Sequence, residues 1–381
     1  MPSVPVLDVD ALLRDPATRI IVCCGSGGVG KTTTAAALGL RAAEMGRRVC
    51  VLTIDPARRL AQAMGLSELD NTPRPVVGVD GDGSLSAMML DMKRTFDEVV
   101  ESHSDADRAQ AILDNPFYQA LSSSFAGTQE YMAMEKLGQL RTEADRDGTW
   151  DLIVVDTPPS RSALDFLDAP DRLGTFLDGR FIKILTAPAR GAGRGLGKLL
   201  GAGLGLFSGV LTKILGAQLL TDLAAFVGAV DTMFGGFRER AEATYALLKD
   251  PGTSFIVVAA PERDSLREAS YFVDRLEQDG MPLAGLVLNR VQEIRAPELS
   301  VEEATAGVQR LQTQDPRVAA LLRLHADRMR NGERQARLAR RFTAAHPGVP
   351  VTEVYALAED VHDLEGLRKV GTLLASISST D

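Results

Sequence analysis

Short apolar runs recur along the 381-residue chain, and segments with helical periodicity separate most of them. The runs are rich in β-branched and aliphatic residues, which is typical of strands buried on both faces. They lie at residues 19–24, 47–55, 151–160, 254–262, 283–291 and 349–357. A short helix is predicted at residues 7–13, and an alanine-rich helix follows the first strand. This alternation predicts an α/β fold with a mostly parallel, doubly wound sheet.

Three segments depart from that alternation. Residues 92–146 have a helical pattern throughout, residues 170–248 are rich in glycine and apolar residues, and residues 296–345 read as arginine-rich helices. We expect residues 1–381 to form a single domain. The first two segments would be helical insertions that form a second layer above the ligand site, and the third a helical excursion from the sheet. The apolar stretch 199–230 is interrupted by Lys213 and Asp222. It indicates either packed helices or an apolar surface for a client, a partner or a membrane.

Composition narrows the class of protein. The formal net charge of −9 argues against a general nucleic-acid binder, so no nucleic-acid partner is expected. The three cysteines, Cys23, Cys24 and Cys50, lie on predicted strands, where they would pack as small apolar residues. Their odd number and the lack of a C-x-x-C pair indicate a reducing compartment and disfavour a cysteine zinc site. The N-terminus has no apolar signal core, so a cytoplasmic protein is expected.

The sequence GSGGVGKTT, which follows the first predicted strand and opens a helix, fits the pattern of a phosphate-binding loop. Glycines let the backbone approach phosphates, and the exposed amides and helix N-terminus attract their oxygens. Lys31 is expected to reach the β- and γ-phosphates of ATP, and the Thr32 hydroxyl to bind Mg²⁺. The residues predicted to contact ATP are Gly25, Ser26, Gly27, Gly28, Val29, Gly30, Lys31, Thr32 and Thr33.

Polar residues stand at the ends of the other predicted strands, at the edge where open α/β sheets hold their ligands. Asp156 follows four apolar residues, the arrangement of a Walker B acid, and is expected to hold Mg²⁺ opposite Thr32. Asp55 could orient the attacking water or cap the next helix, with Pro56 at its first position. The Asn289 amide could contact an adenine edge or form a turn. Lys31 and Asp55 are therefore the predicted catalytic residues, Asn289 a further ATP contact, and Thr32 and Asp156 the metal ligands.

The loop, together with DPARRLA at 55–61, DTPPSRSALDFL at 156–167 and LVLNR at 286–290, resembles one group of P-loop ATPases. That group contains the arsenite-pump and tail-anchored-protein-targeting ATPases, and the chain is most similar to one subunit of a bacterial two-subunit pair. The resemblance, from about residue 18 to about 370, implies a nucleotide-bridged dimer that responds to ATP. It also implies a water-orienting role for Asp55, a magnesium role for Asp156 and an adenine contact for Asn289.

Position 26 departs from this family. The family loop usually carries a lysine there that reaches the partner's phosphates across the dimer, whereas this chain has Ser26. A homodimer would lack that cation on both sides. A heterodimer with a homologous subunit that keeps the lysine would supply it to this chain's ATP. The zinc-binding cysteine pair of the targeting ATPases and any cysteine set suited to arsenite are also absent.

These features favour a cytoplasmic, Mg²⁺-dependent ATPase, either free in the cytoplasm or peripheral at the membrane. Its turnover would rearrange a helical layer that handles a hydrophobic or membrane-linked client. The alternative is a nucleotide-binding regulatory subunit with little hydrolysis that acts as an assembly clamp in a heterodimer. A partitioning ATPase is disfavoured by the acidic charge balance. An iron–sulfur reductase is disfavoured because no cysteine lies in a ligand-presenting loop.

Overall fold

A computed structural model of the chain describes residues 4–54, 58–66, 68–115, 118–119, 128–158, 239–240 and 242–376. The chain divides into two compact units. The first comprises residues 1–89, 143–164 and 247–381, and the second residues 90–142 and 165–246. The predicted insertions at 92–146 and 170–248 can be compared only in part, because residues 159–238 lie outside the described residues. Their arrangement as a second layer stays a prediction.

The strands described in the first unit form one sheet. They are β1 Ile20–Gly25, β2 Arg48–Thr53, β3 Arg74–Pro75, β4 Ser84–Met89, β5 Leu152–Asp156, β6 Thr253–Ala259, β7 Leu283–Val291 and β8 Val351–Tyr355. Their order across the eight-stranded sheet is β3-β4-β2-β5-β1-β6-β7-β8. All neighbours pair in parallel except β3 and β4, which pair in antiparallel fashion at one edge. The predicted α/β class with a mostly parallel sheet is therefore confirmed.

The helices of the described residues follow the strands in the expected alternation. They are α1 Val9–Arg14, α2 Lys31–Glu44, α3 Arg58–Ala63, α4 Met92–His103, α5 Ala106–Leu113, α6 Thr128–Asp147, α7 Arg263–Asp279, α8 Val301–Leu311, α9 Pro316–Ala345 and α10 Leu364–Ala375. The predicted leading helix corresponds to α1, and the predicted excursion at 296–345 to α8 and α9. None of the described helices is long and apolar enough to cross a membrane, and the apolar stretch 199–230 lies outside the described residues.

Two strands were not predicted. β4 reads SLSAMM, in which serines alternate with apolar residues, and β3 contains only two residues. Neither segment is a continuous apolar run, the signal that predicts most of the other strands. β4 is nevertheless buried over most of its length because it lies between β2 and the edge strand β3. Of its two serines, Ser84 is exposed and only Ser86 is buried.

A large apolar core lies between the sheet and the helices α2 and α10. The buried side of α2 is built mainly from alanines, and its only large buried aliphatic side chains are those of Leu38 and Leu40. At Gly39 a Cβ atom would lie 2.5 Å from the Val51 side chain of β2, so this turn of α2 packs directly on the strand. Small side chains thus let α2 lie close to the sheet, with its first residue, Lys31, at the carboxyl ends of the central strands.

Helix α7 packs against β6, and the pair α8–α9 continues from β7. The start of α8 is fixed by a capping box, in which Ser300 and Glu303 bond reciprocally. Pro316 stands in the first turn of α9, and the preceding Asp315 caps that helix. Side chains of α8 and α9 interlock, since a Cβ at Gly307 would meet the Leu322 side chain at 2.7 Å.

Within the second unit, part-buried ion pairs connect the part of α6 up to residue 142 to α4 and to Arg240. Lys136 pairs with Glu98 at 3.0 Å, and Arg240 pairs with Glu135 at 3.0 Å. Tyr118 packs edge-on against Phe96 of α4, and its hydroxyl lies 2.5 Å from an oxygen of Asp97. Burial and the Asp97 hydrogen bond raise the pKa of Tyr118 well above its usual value, so the phenol remains a donor.

Candidate functional site

The loop between β1 and α2 depends on glycines that adopt conformations closed to other residues. Gly25, Gly28 and Gly30 have φ angles of 146°, 75° and 96°. At these angles a side chain would be strained, whereas glycine adopts them at little cost. The loop therefore turns sharply out of the central strand and enters α2 at Lys31, as the sequence pattern predicts.

Two of these glycines also have no room for a side chain. A Cβ at Gly25 would lie 2.1 Å from the Val258 carbonyl oxygen of β6, and a Cβ at Gly30 would lie 2.4 Å from Nδ2 of Asn289. The loop is thus packed tightly against β6 on one side and the end of β7 on the other. Its backbone is held by neighbouring strands, which favours a preformed cradle for an anion.

Lys31 is the first residue of α2 and is only 7% exposed. Its ammonium group donates a hydrogen bond to the Ser26 carbonyl at 2.9 Å, so the side chain folds back over the loop. The N-cap residue Gly30 has no side chain to cap the helix. Together, the lysine and the amides of the first turn of α2 provide positive charge and donors facing the loop.

Thr32, Thr53 and Asp156 form an oxygen-rich cluster at the carboxyl ends of β2 and β5. Thr32 Oγ1 donates to Asp156 Oδ2 at 2.7 Å, and Thr53 Oγ1 donates to the same oxygen at 2.9 Å. Asp156 is fully buried. Hydroxyl and carboxylate oxygens are the donors that Mg²⁺ prefers, so the cluster fits this ion. The structure brings together Thr32 and Asp156, the two metal ligands expected from the sequence.

Thr53 is a site residue that the sequence pattern did not predict. It is directly beside Asp156 in the parallel register of β2 and β5. The available signal was its place at the end of a predicted strand, two residues before Asp55. The sequence pattern did not indicate that β2 and β5 are neighbours in the sheet.

Ser26 is turned into its own chain. The residue is 8% exposed, and its hydroxyl lies 2.9 Å from the hydroxyl of Ser265 in the first turn of α7. Ser265 Oγ also accepts a hydrogen bond from the Ala260 backbone amide at 3.0 Å. Sequence reasoning did not identify Ser265, because it lies 239 residues from Ser26 in a helix without a recognisable motif.

Asn289 contacts the phosphate loop. Its Nδ2 donates to the Val29 carbonyl at 2.8 Å, and its Oδ1 accepts from the Arg290 amide at 2.9 Å. Arg290 has a φ angle of 62°, and the register of β7 with β8 shifts there, so the strand bulges directly after the asparagine. The Asn289 amide therefore joins β7 to the loop, and the strand continues to Val291 instead of turning at this residue. Its contact with adenine stays a prediction.

The remaining predicted site residues are distributed as follows. Gly27 and Gly28 are exposed at the outer part of the loop, Val29 is buried, and Thr33 is half-buried in the first turn of α2. Asp55, the predicted water-orienting residue, lies outside the described residues, as does the predicted switch segment beyond residue 158. The catalytic role of Asp55 is therefore a prediction from the sequence alone.

The cysteines occupy the sheet. Cys23 and Cys24 are buried on β1 and Cys50 on β2. Burial raises the pKa of the Cys23 thiol well above its usual value, with a further contribution from the Asp156 charge. Burial also raises the pKa of Cys24 to about 12. The thiolate is the metal-binding form of cysteine, so the raised pKa values disfavour a metal-binding role for either thiol.

Comparison with known proteins agrees with this geometry. A family model described as anion-transporting ATPase matches residues 18–315, which is most of the chain. The chain is similar to the ATPase GET3 of Malassezia globosa, with 28% identity over 281 residues that cover 74% of this chain and 75% of the relative. It is 26% identical over 301 residues to the ATPase GET3 of Podospora anserina, covering 78% of this chain and 80% of the relative.

Proposed function

The chain belongs to the anion-transporting ATPase family, and from this premise we propose that it is a Mg²⁺-dependent ATP switch that works as a dimer. The observation that carries the proposal is the contact between Thr32 and Asp156, at 2.7 Å, directly beside the lysine of the loop. One edge of the parallel sheet thus presents a cation, two hydroxyls and a buried carboxylate. This set is suited to binding a nucleoside triphosphate and its metal ion.

Each residue has a role that follows from its chemistry. The loop amides from 25 to 33 would bind phosphate oxygens, and Lys31 would leave the Ser26 carbonyl to neutralise the β- and γ-phosphates. Thr32 and Asp156 would hold Mg²⁺, with Thr53 orienting the carboxylate. The bound ion supplies charge neutralisation at the phosphate oxygens. Because phosphoryl transfer depends on positioning, Asp55 would act by orienting the attacking water.

We further propose that ATP turnover moves a helical layer that handles a hydrophobic or membrane-linked client. This part is supported by the family and by the relatives named ATPase GET3. The partner in the dimer would be a homologous subunit that supplies a lysine at the position of Ser26. A trans-acting cation of this kind is worth on the order of 10²-fold or more in rate. The proposed location is the cytoplasm, either free or peripheral at the membrane.

The uncharged, buried Ser26 also favours a second function, that of a nucleotide-binding regulatory subunit. In that case ATP would clamp a heterodimer together with little hydrolysis by this chain. The two functions differ in single-turnover hydrolysis with a homologous partner present. Cleavage of ATP bound to this chain supports the switch. Tight binding without cleavage, alone and with the partner, supports the clamp.

The site is tested by calorimetry with Mg·ATP. Lys31→Ala is expected to weaken ATP binding by about 100-fold or more, because charged hydrogen bonds contribute about 1.5–3 kcal/mol each. Asp156→Asn should lose the Mg²⁺ dependence of binding.

Asp55→Asn should retain ATP binding but slow ATP cleavage, which single-turnover hydrolysis measures. Lys369→Ala removes an exposed lysine paired with Glu365 and should leave binding unchanged. Wild-type affinity in Lys31→Ala would refute the proposed site.

A further inference from the structure

A hydroxyl on α7 contacts the phosphate loop from behind. Ser265 is the third residue of α7 and is 8% exposed. Its Oγ accepts a hydrogen bond from the Ala260 amide at 3.0 Å and lies 2.9 Å from Ser26 Oγ. Ala260 directly follows β6, and Ser26 is the second residue of the loop. One side chain therefore links the end of a central strand to the start of the phosphate loop.

The link extends to the lysine that the loop presents. The residue whose hydroxyl contacts Ser265 is also the residue whose carbonyl accepts the Lys31 ammonium, at 2.9 Å. The order of contacts is thus Ala260 amide, Ser265 hydroxyl, Ser26 hydroxyl and, through the Ser26 backbone, Lys31. A shift of Ser26 would move both the loop backbone and the lysine's resting contact.

The hydroxyl of Ser265 does not serve its own helix. A serine in the first turn often bonds to the helix terminus, but here the N-cap Glu262 makes no side-chain cap bond and Ser265 bonds to the preceding strand end and the loop. Burying two hydroxyls also costs free energy unless they are hydrogen-bonded. An apolar pair could fill this space without that requirement, so the polar pair is best explained by what it holds.

We propose that Ser265 is a positioning residue that fixes the phosphate loop for ATP binding through Ser26. This inference rests on the proposed function, since it assigns a further residue to the same site. It also gives Ser26 a role inside its own chain. A lysine at position 26 would have a long, charged side chain with no place in the buried contact with Ser265. Compared with lysine, serine at this position thus lacks the trans-acting cation but holds the loop in place through Ser265.

The test measures Mg·ATP affinity and amide hydrogen exchange of residues 25–31 in Ser265→Ala, Ser26→Ala and the double variant. Each single variant is expected to bind ATP about five-fold more weakly, the effect of one lost hydrogen bond of about 1 kcal/mol. The double variant should bind about as weakly as either single variant, because both lose the same contact. Exchange in the loop should be faster in all three, without nucleotide.

Thr352→Val is the matched control. Its buried hydroxyl, on the edge strand β8, bonds to the Leu374 carbonyl in the last turn of α10, so its loss should lower thermal stability but leave loop exchange and ATP affinity unchanged. Unchanged loop exchange in both Ser265→Ala and Ser26→Ala overturns the inference. Additive losses of affinity in the double variant do so as well. If wild-type protein does not bind ATP, the proposed function fails, whereas the exchange experiment still decides the role of Ser265.

Discussion

At the scale of single residues, Asp156 shows how one buried carboxylate organises the ends of neighbouring strands. A buried charge is costly unless hydrogen bonds offset the loss of water. Here hydroxyls from Thr32 and Thr53 both donate to Oδ2. The next residue, Thr157, donates its hydroxyl to the Cys23 carbonyl of β1 at 2.9 Å. The acid is thus fixed relative to three elements before any ligand binds.

Glu353 is a second carboxylate in a low-polarity position, and it permits a test by pH. It lies on β8 beside Leu288, is partly buried, and forms no ion pair with any described residue. Burial raises its pKa above the usual value. The folded protein therefore holds this proton more tightly than the unfolded chain does. Stability from this group is full below the unfolded pKa and is lost as the pH rises through the folded pKa.

We predict that Glu353→Gln raises the melting temperature at pH 7.5 and has little effect near pH 4. The neutral amide removes the cost of burying a charge without changing the size of the side chain. Glu303→Gln is a matched control with the opposite expectation. Hydrogen bonds from Ser300 lower the pKa of Glu303, so its charge favours folding at neutral pH. Calorimetric scans across this pH range would contradict the prediction if Glu353→Gln were less stable than wild type at pH 7.5.

At the scale of secondary-structure elements, Arg47 joins segments that are distant in sequence. It precedes β2 and is 9% exposed. Its guanidinium donates to four backbone carbonyls, which lie in the last turn of α1, between α1 and β1, and just before β5. The acceptors are those of Leu13 at 3.0 Å, Asp15 at 3.3 Å, Thr18 at 2.5 Å and Asp151 at 2.8 Å. The carbonyl of Leu13 is one that the end of α1 leaves without a partner in the helix.

Arg47→Met is expected to lower the free energy of unfolding by about 3 kcal/mol, because buried carbonyls lose donors that bear a charge. Chemical denaturation monitored by circular dichroism measures this change. The neighbouring Arg48 is the control. It pairs with Asp151 at 2.7 Å but is exposed, and exposed ion pairs contribute little. A loss in Arg48→Met as large as that in Arg47→Met would show that burial is not the cause.

At the scale of the whole molecule, Ser26 links the site of one chain to the proposed dimer. Its hydroxyl is used within the chain through Ser265, and it has no charge to offer a partner. A homodimer would then lack the trans-acting cation at both sites. The departure at position 26 thus has a consequence inside the chain, the contact with Ser265, and would have a second one in the proposed dimer.

We predict that Ser26→Lys in a homodimer raises both KM and kcat. The rise in KM lowers kcat/KM, whereas the rise in kcat increases it. Loss of the Ser265 contact should raise the KM for ATP by about five-fold. The new cation should raise kcat, by up to about 100-fold if it reaches the partner's phosphates. Steady-state rates over a range of ATP concentrations separate the two. Ser26→Ala should reproduce the rise in KM without any rise in kcat. An unchanged kcat in Ser26→Lys would remove the trans contact from the mechanism.

The sequence alone determined the strands that form continuous apolar runs, the loop from Gly25 to Thr33 and the acid Asp156. These features depend on local patterns: burial on both faces makes a strand apolar, and a tight turn around an anion requires glycine. The serine-containing strand β4 was not predicted because it is not a continuous apolar run.

Only the tertiary structure decided which side chains meet. Thr53 bonds to Asp156 across 103 positions, Ser26 to Ser265 across 239, and Asn289 to Val29 across 260. These contacts follow from the strand order, which places β1 between β5 and β6 and β2 beside β5. Periodicity reports which face of an element is buried, but it carries no information about which distant element covers that face. The sequence therefore predicted the chemistry of the loop. The residues that hold the loop in place could be identified only from the arrangement of the strands in space.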